Sequence, residues 1–152
     1  MHVMTKYLDT RKAAIAALQD YPIMEYAAEH TSQAAEQLRG DLATPASPRL
    51  DGIPRHTNPH AGENRITATL DKIDLLTERQ REARQYMAWF LPAWALLSED
   101  DRFVLEAFFL AEGTQDERVM AIADHFYIER DSVYRRKNRA LDRLAATLYG
   151  RH

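Results

Sequence analysis

Apolar positions recur along this chain with helical spacing nearly from end to end, and no stretch shows the strict alternation of a strand. Met4, Leu8, Ile15 and Leu18 fall on one stripe, interrupted by Arg11, while Ala13, Ala14, Ala16 and Ala17 favour helix intrinsically. Pro22 is expected to kink or restart this helix, and a weaker pattern runs from Ile23 to Leu38 before Gly40. The character then changes. Three of the five glycines (40, 52 and 62) and four of the six prolines (45, 48, 54 and 59) lie between Gly40 and Gly62, which reads as a loop or linker. Beyond it a long helix is expected from about Glu63, because Ile66, Leu70, Ile73, Leu76, Ala83, Met87, Phe90, Leu91 and Trp94 advance by threes and fours. An antiparallel pairing with the first helix buries both stripes, and Trp89, Phe90 and Trp94 are expected to join that pair to the C-terminal domain. Self-association along the Met4, Leu8, Ile15, Leu18 stripe is the alternative.

The last third carries a denser pattern. "SEDD", Ser98 to Asp101, has the form of a capping box in which the Ser98 hydroxyl accepts from the Asp101 N–H and the Asp101 carboxylate reaches back. The helix it starts is expected to bury Val104, Ala107, Phe108 and Ala111 and to end at Gly113. Thr114 or Asp116 caps a short helix carrying Val119, Ile122, Ala123 and Phe126, "YIERD" turns the chain, and a last helix runs to about Tyr149. On that last helix Val133, Ala140, Leu144 and Leu148 share one face, with Leu141 at its edge. A short helix, a brief turn and a longer helix form the helix-turn-helix pattern. Ala123 is small where the two helices meet, Ile122 and Phe126 face inward, Ile128 plugs the turn and Val133 anchors the second helix.

Charge sharpens this picture. The chain carries a net charge of −3, yet residues 98–129 hold nine acids against two bases and residues 130–151 hold seven bases against two acids. A basic stripe on one element is the footprint of phosphate contact. Opposite Val133 the last helix presents Asp131, Arg135, Asn138 and Asp142, flanked by Tyr134 and Arg139. Arginine can bridge guanine O6 and N7, asparagine can bridge adenine N6 and N7, and aspartate can accept from cytosine N4. Arg130 and Arg143 complete the candidate DNA-binding set, Arg143 on the flank where phosphate lies.

Other chemistry finds little support. With no cysteine there is no disulfide framework and no thiolate site. His56 and His60 stand near metal-ligand spacing without a carboxylate cluster, so neither a metal nor any cofactor is expected. Glu78 and Glu82 sit among Arg79, Arg81 and Arg84, an ion-pair face rather than an acid/base pair. The run Tyr86 to Leu97 is broken by Pro92 and is shorter than the roughly 18 to 20 residues of a membrane span, and the N-terminus lacks a signal-type apolar core. A cytoplasmic protein without membrane contact is expected, and not an enzyme, since no nucleophile and base pair or phosphate-cradling glycine loop is present.

At the residues just described, "LSEDDRFVLEAFFLAEG" together with "VMAIADHFYIERDSVYRRKNRALDRLA" resembles the region-4 fold of sigma-70 factors. "SVYRRKNRAL" is similar to phage and prophage regulators of the ArpU/RinA type, and "KYL", "GIP" at Gly52 to Pro54 and the long charged helix resemble the phage helical family allied to them. The resemblance implies a phage transcription regulator in which Arg130, Asp131, Tyr134 and Arg135 correspond to groove-facing residues at the start of the sigma recognition helix. Three departures stand out: Tyr127 where the turn usually has glycine, Arg136 and Lys137 directed toward the apolar side, and a longer loop from Gly113 to Ile122.

The expected architecture is all-α: an N-terminal helical segment (1–39), a Pro/Gly-rich loop (40–62), a long helix pairing with the first segment (63–97), and a sigma-70 region 4-like helix-turn-helix domain (98–152). The expected function is a sequence-specific DNA-binding transcriptional regulator, with double-stranded DNA as partner and RNA polymerase or a second copy of the chain as further candidates. The alternative of a different class is a helical adaptor or assembly protein, polymerase-binding or terminase-like, that uses the same basic helix for protein or nonspecific DNA contact.

Overall fold

The computed structural model describes residues 8–44 and 59–150, and among them every regular element is helical. Helix α1 spans Thr10–Ala43, α2 Ala61–Ala95, α3 Glu99–Leu105, α4 Gln115–Phe126 and α5 Arg130–Tyr149, with a π-helical turn, Glu106–Leu110, continuing α3. Met4, the "GIP" segment and His56 lie outside the described residues. The described chain divides into two compact units, residues 8–23 with 86–150 and residues 24–44 with 59–85.

Pro22 does not restart the first helix, which continues through it and on past Gly40 to Ala43. The proline is exposed, and a missing N–H on a solvent-facing side leaves no buried carbonyl without a partner. In the second unit the buried side chains are Thr31, Ala35, Ile73 and Ala83, whereas Ile66 and Leu70, expected on the inner stripe of α2, are exposed.

The first unit holds two apolar clusters. One joins Ala14, Ala17 and Leu18 of α1 to Phe90, Ala93 and Trp94 of α2, Leu105 of α3, and Ala140, Leu141, Leu144 and Ala145 of α5. Tyr21 stacks on Phe90 with ring centroids 5.1 Å apart, Trp89 meets Tyr149 at 5.7 Å, and the Tyr86 hydroxyl donates to the Ala17 carbonyl. Burial raises the Tyr86 phenol far above its usual range. Leu18 is fully buried and Ile15 packs against the same cluster, whereas Leu8 of the same stripe is exposed.

The second cluster, Val104, Val119, Ile122, Ala123 and Val133, is supported by Phe103, Ala107, Phe108, Phe126, Ile128 and Tyr134. Consecutive aromatics divide between the two clusters: Phe108 serves this one, Phe109 and Leu110 the other. Consecutive residues on a helix point about 100° apart, so Phe108 joins Val104 and Ala107 on the face the spacing anticipates, and the π turn brings Leu110 to the side of Leu105 and Phe109. It also ends the helix at Leu110, so Ala111 is extended and exposed rather than buried. Gly113 follows with φ of 104°, where a Cβ would come within 2.7 Å of the Glu117 carboxylate. Thr114 then starts α4 with a complete capping box, its side chain accepting from the Glu117 N–H while the Glu117 carboxylate accepts from the Thr114 N–H at 2.7 Å. That hydrogen bond holds the Glu117 carboxyl below its usual value.

Candidate nucleic-acid interface

The turn between α4 and α5 fixes which side of α5 faces outward. Tyr127 adopts the left-handed conformation (φ 53°, ψ 49°), and the Ile128 N–H donates back to the Ala123 carbonyl at 3.0 Å. Ile128 packs into the second cluster, while Tyr127 is 95% exposed and carries left-handed strain without compensating burial. Val133 then anchors α5 against α4 at full burial. Leu141, expected at the edge of the stripe, is buried with Ala140 and Leu144.

With that side inward, Asp131, Arg135 and Arg139 are exposed and Asn138 is partly so. Tyr134 is turned partly inward, its ring edge-on to Phe108 at 6.0 Å and its hydroxyl accepting from Gln115 Nε2 at 3.3 Å. Arg136 and Lys137, which point toward the apolar side, are partly buried and rest against aromatic faces. The Arg136 guanidinium lies 4.3 Å from the Phe126 ring centre and the Lys137 ammonium 4.8 Å from that of Phe108. Partial burial lowers the pKa of Lys137.

Three ion pairs tie this helix to its surroundings. Arg130 reaches Asp116 on α4 at 2.5 Å, Arg143 reaches Asp101 on α3 at 2.5 Å, and Asp142 receives both the Nε and an Nη of Arg11 on α1. The Asp116 contact raises the pKa of Arg130. Asp101 therefore does not reach back to close a capping box. Ser98 caps α3 through the Asp101 N–H at 3.1 Å, and the carboxylate is drawn away to the arginine on α5. Arg136, Arg139, Arg143 and Asp101 together line a polar cavity of about 160 Å³ on the flank of α5.

Comparison with protein-family models, curated proteins and solved structures finds no match to the chain.

The geometry itself distinguishes two zones on α5. The first two turns present Asp131 and Arg135 outward, and the following flank gathers three guanidinium groups beside one acid. Neither zone has the composition of a metal site, and no cluster of three or more metal-ligating side chains occurs among the described residues. His60, of the histidine pair, lies 3.5 Å from Glu63. The Glu78 carboxylate pairs with Arg81, which lowers its pKa, as an ion-pair face requires. No helix among the described residues is long and apolar enough to cross a membrane.

Sequence periodicity located the outward side of α5 but not the partners of its charges. Asp101 and Asp116 stood out only as helix-start acids, and their pairing with arginines 42 and 14 residues away depends on how the helices pack. Arg11 did leave a signal, since it interrupts an apolar stripe.

Proposed function

We propose that the chain is a cytoplasmic, sequence-specific DNA-binding transcriptional regulator of phage or prophage genes, related in its last third to region 4 of sigma-70 factors. In this reading α4 lies across the DNA backbone and α5 enters the major groove. The observation that carries it is the exposure of Asp131 and Arg135 on the outward side of the first turns of α5, next to a flank of arginines, behind a short capped helix and a tight turn. Groove-reading helices use their early residues on base edges and later or flanking cations on phosphates. Arg135, Asp131 and Asn138 are the base-edge candidates; Arg130, Arg139 and Arg143 are the phosphate candidates. Tyr134 is partly buried and supports α5 through its contact with Phe108, with its hydroxyl accepting from Gln115.

A single helix-turn-helix covers few base pairs, so specificity calls for a second half-site or a polymerase partner. Leu18 and Ile15 are taken up in the core, which leaves Leu8 as the exposed described residue of the stripe considered for self-association. Titration of the intact protein with duplex DNA at two salt concentrations tests the reading. Binding that weakens steeply with salt and prefers selected over random sequence supports it. No binding at low salt refutes it in favour of an adaptor that docks on protein.

A further inference from the structure

We infer that Arg136, Arg139 and Arg143 form a pocket for a backbone phosphodiester of duplex DNA, and that Asp101 occupies this pocket in the free protein as a built-in substitute for the phosphate. The inference rests on the DNA-binding reading of α5 and assigns the chemistry of its flank.

The three arginines stand at i, i+3 and i+7 on α5, which sets them along one flank of the helix, and they line a single polar cavity whose remaining wall is Asp101. Three like charges around one cavity repel, and one carboxylate offsets only part of that repulsion. The arrangement suits an anion with several acceptor oxygens, and guanidinium forks match phosphate in shape as well as charge. Arg136 is oriented for the task by its stacking on Phe126, which occupies the face of the guanidinium and leaves the in-plane donors for an anion. Arg139 rests its Nε on the Arg135 carbonyl at 3.4 Å, a weak contact easily exchanged.

Asp101 is the sequestered member. Its side chain is 14% exposed against 59% for Arg143, so the acid is the more buried partner of the pair and forms a wall of the cavity. A phosphate entering the pocket must displace this carboxylate. Contact with the backbone alone is thereby weakened on any sequence, while a site that also satisfies Arg135 and Asp131 makes up the loss through base contacts. Asp101 thus raises the ratio of specific to nonspecific binding without touching a base.

The test uses the full chain and a random-sequence duplex, read by fluorescence anisotropy at two salt concentrations. Asp101→Asn should bind about three-fold tighter or more than wild type, with the slope of log affinity against log salt steeper by about one. Asp100→Asn removes the same charge from an exposed neighbour outside the cavity and should produce less than half of that gain. Adding Arg139→Ala to Asp101→Asn should cancel it. Equal gains from the two asparagine variants, or a gain that survives Arg139→Ala, would overturn the proposal.

A second measurement needs no variant. Inorganic pyrophosphate added to the wild-type protein should shift the NMR signals of the Arg136, Arg139 and Arg143 guanidinium groups before that of Arg135, and a uniform shift over all arginines would overturn the pocket. Should the wild type bind no duplex at low salt, the regulator reading fails separately. Selective pyrophosphate shifts would then assign the pocket to a free phosphate compound and overturn its assignment to DNA.

Discussion

Arg11 forks onto both carboxylate oxygens of Asp142, at 2.5 and 2.8 Å, and so joins the first turn of α1 to the outward side of α5. The one charged residue that interrupts the first apolar stripe is the one that reaches the last helix. The contact also changes the meaning of Asp142. Its position opposite Val133 made it a groove-facing candidate in the pattern, but in the fold it is held by α1, which leaves Asp131 and Arg135 as the outward pair on the earlier turns.

The Arg11–Asp142 pair predicts a specific pH dependence. Hydrogen bonding from Arg11 holds the Asp142 carboxyl below its usual value, so the pair stabilises the fold fully above the unfolded-state pKa. That contribution is lost as pH falls through the lower folded-state value. Both side chains are about half exposed, which limits the contribution to about 0.2 to 1 kcal/mol at neutral pH. Urea melts of wild type and Asp142→Asn should differ by that amount at pH 7, and the difference should close as pH drops below about 4. A difference that persists unchanged into strong acid would mean the carboxylate charge plays no part.

The left-handed Tyr127 predicts a stabilising substitution. Its side chain is almost fully exposed, so Tyr127→Gly gives up no packing while relieving backbone strain. The gain should be about 0.5 to 1 kcal/mol, the strain relief less the entropy that glycine adds to the unfolded chain. Thermal melts of the two proteins decide the matter, and a lower melting temperature for Tyr127→Gly would show that the tyrosine makes a contact worth more than its strain.

The shared cluster predicts that α3 to α5 depend on the segments before them. A fragment of residues 98–152 keeps the second cluster but uncovers Leu105, Leu141 and Leu144, which in the whole chain are closed by Leu18, Phe90 and Trp94. Such a fragment should melt lower than the full chain and bind a hydrophobic dye. In the full chain Leu18→Ala should cost about 2 to 5 kcal/mol, the usual range for emptying a filled core site. A fragment that melts like the whole and binds no dye would contradict the shared core.

Local signals in the sequence were strong where the structure depends on neighbours in the chain. Thr114 capping α4, the span of α5 and the inward set Ile122, Ala123 and Val133 all follow from spacing and cap chemistry within a few residues. Features set by contacts between distant segments were not legible. Asp101 is diverted from its own helix start to Arg143 on α5, and Asp142 is taken by Arg11 on α1. In the candidate site the exposure of Arg135 could be read from the helical wheel, since it needs only the position of Val133. The cavity formed by Arg136, Arg139 and Arg143 could not, because its closing wall comes from α3.

Whether the early, outward residues of α5 read base edges is decided most sharply by Arg135→Ala. Duplexes selected from a random library by the wild-type protein would be titrated with both proteins, beside an unselected duplex, at one fixed salt concentration. Arg135→Ala should lose about 1 to 3 kcal/mol on selected sequence and narrow the gap to unselected DNA, whereas loss of a phosphate contact would weaken both alike. Wild-type affinity and discrimination in Arg135→Ala would contradict base reading by this helix.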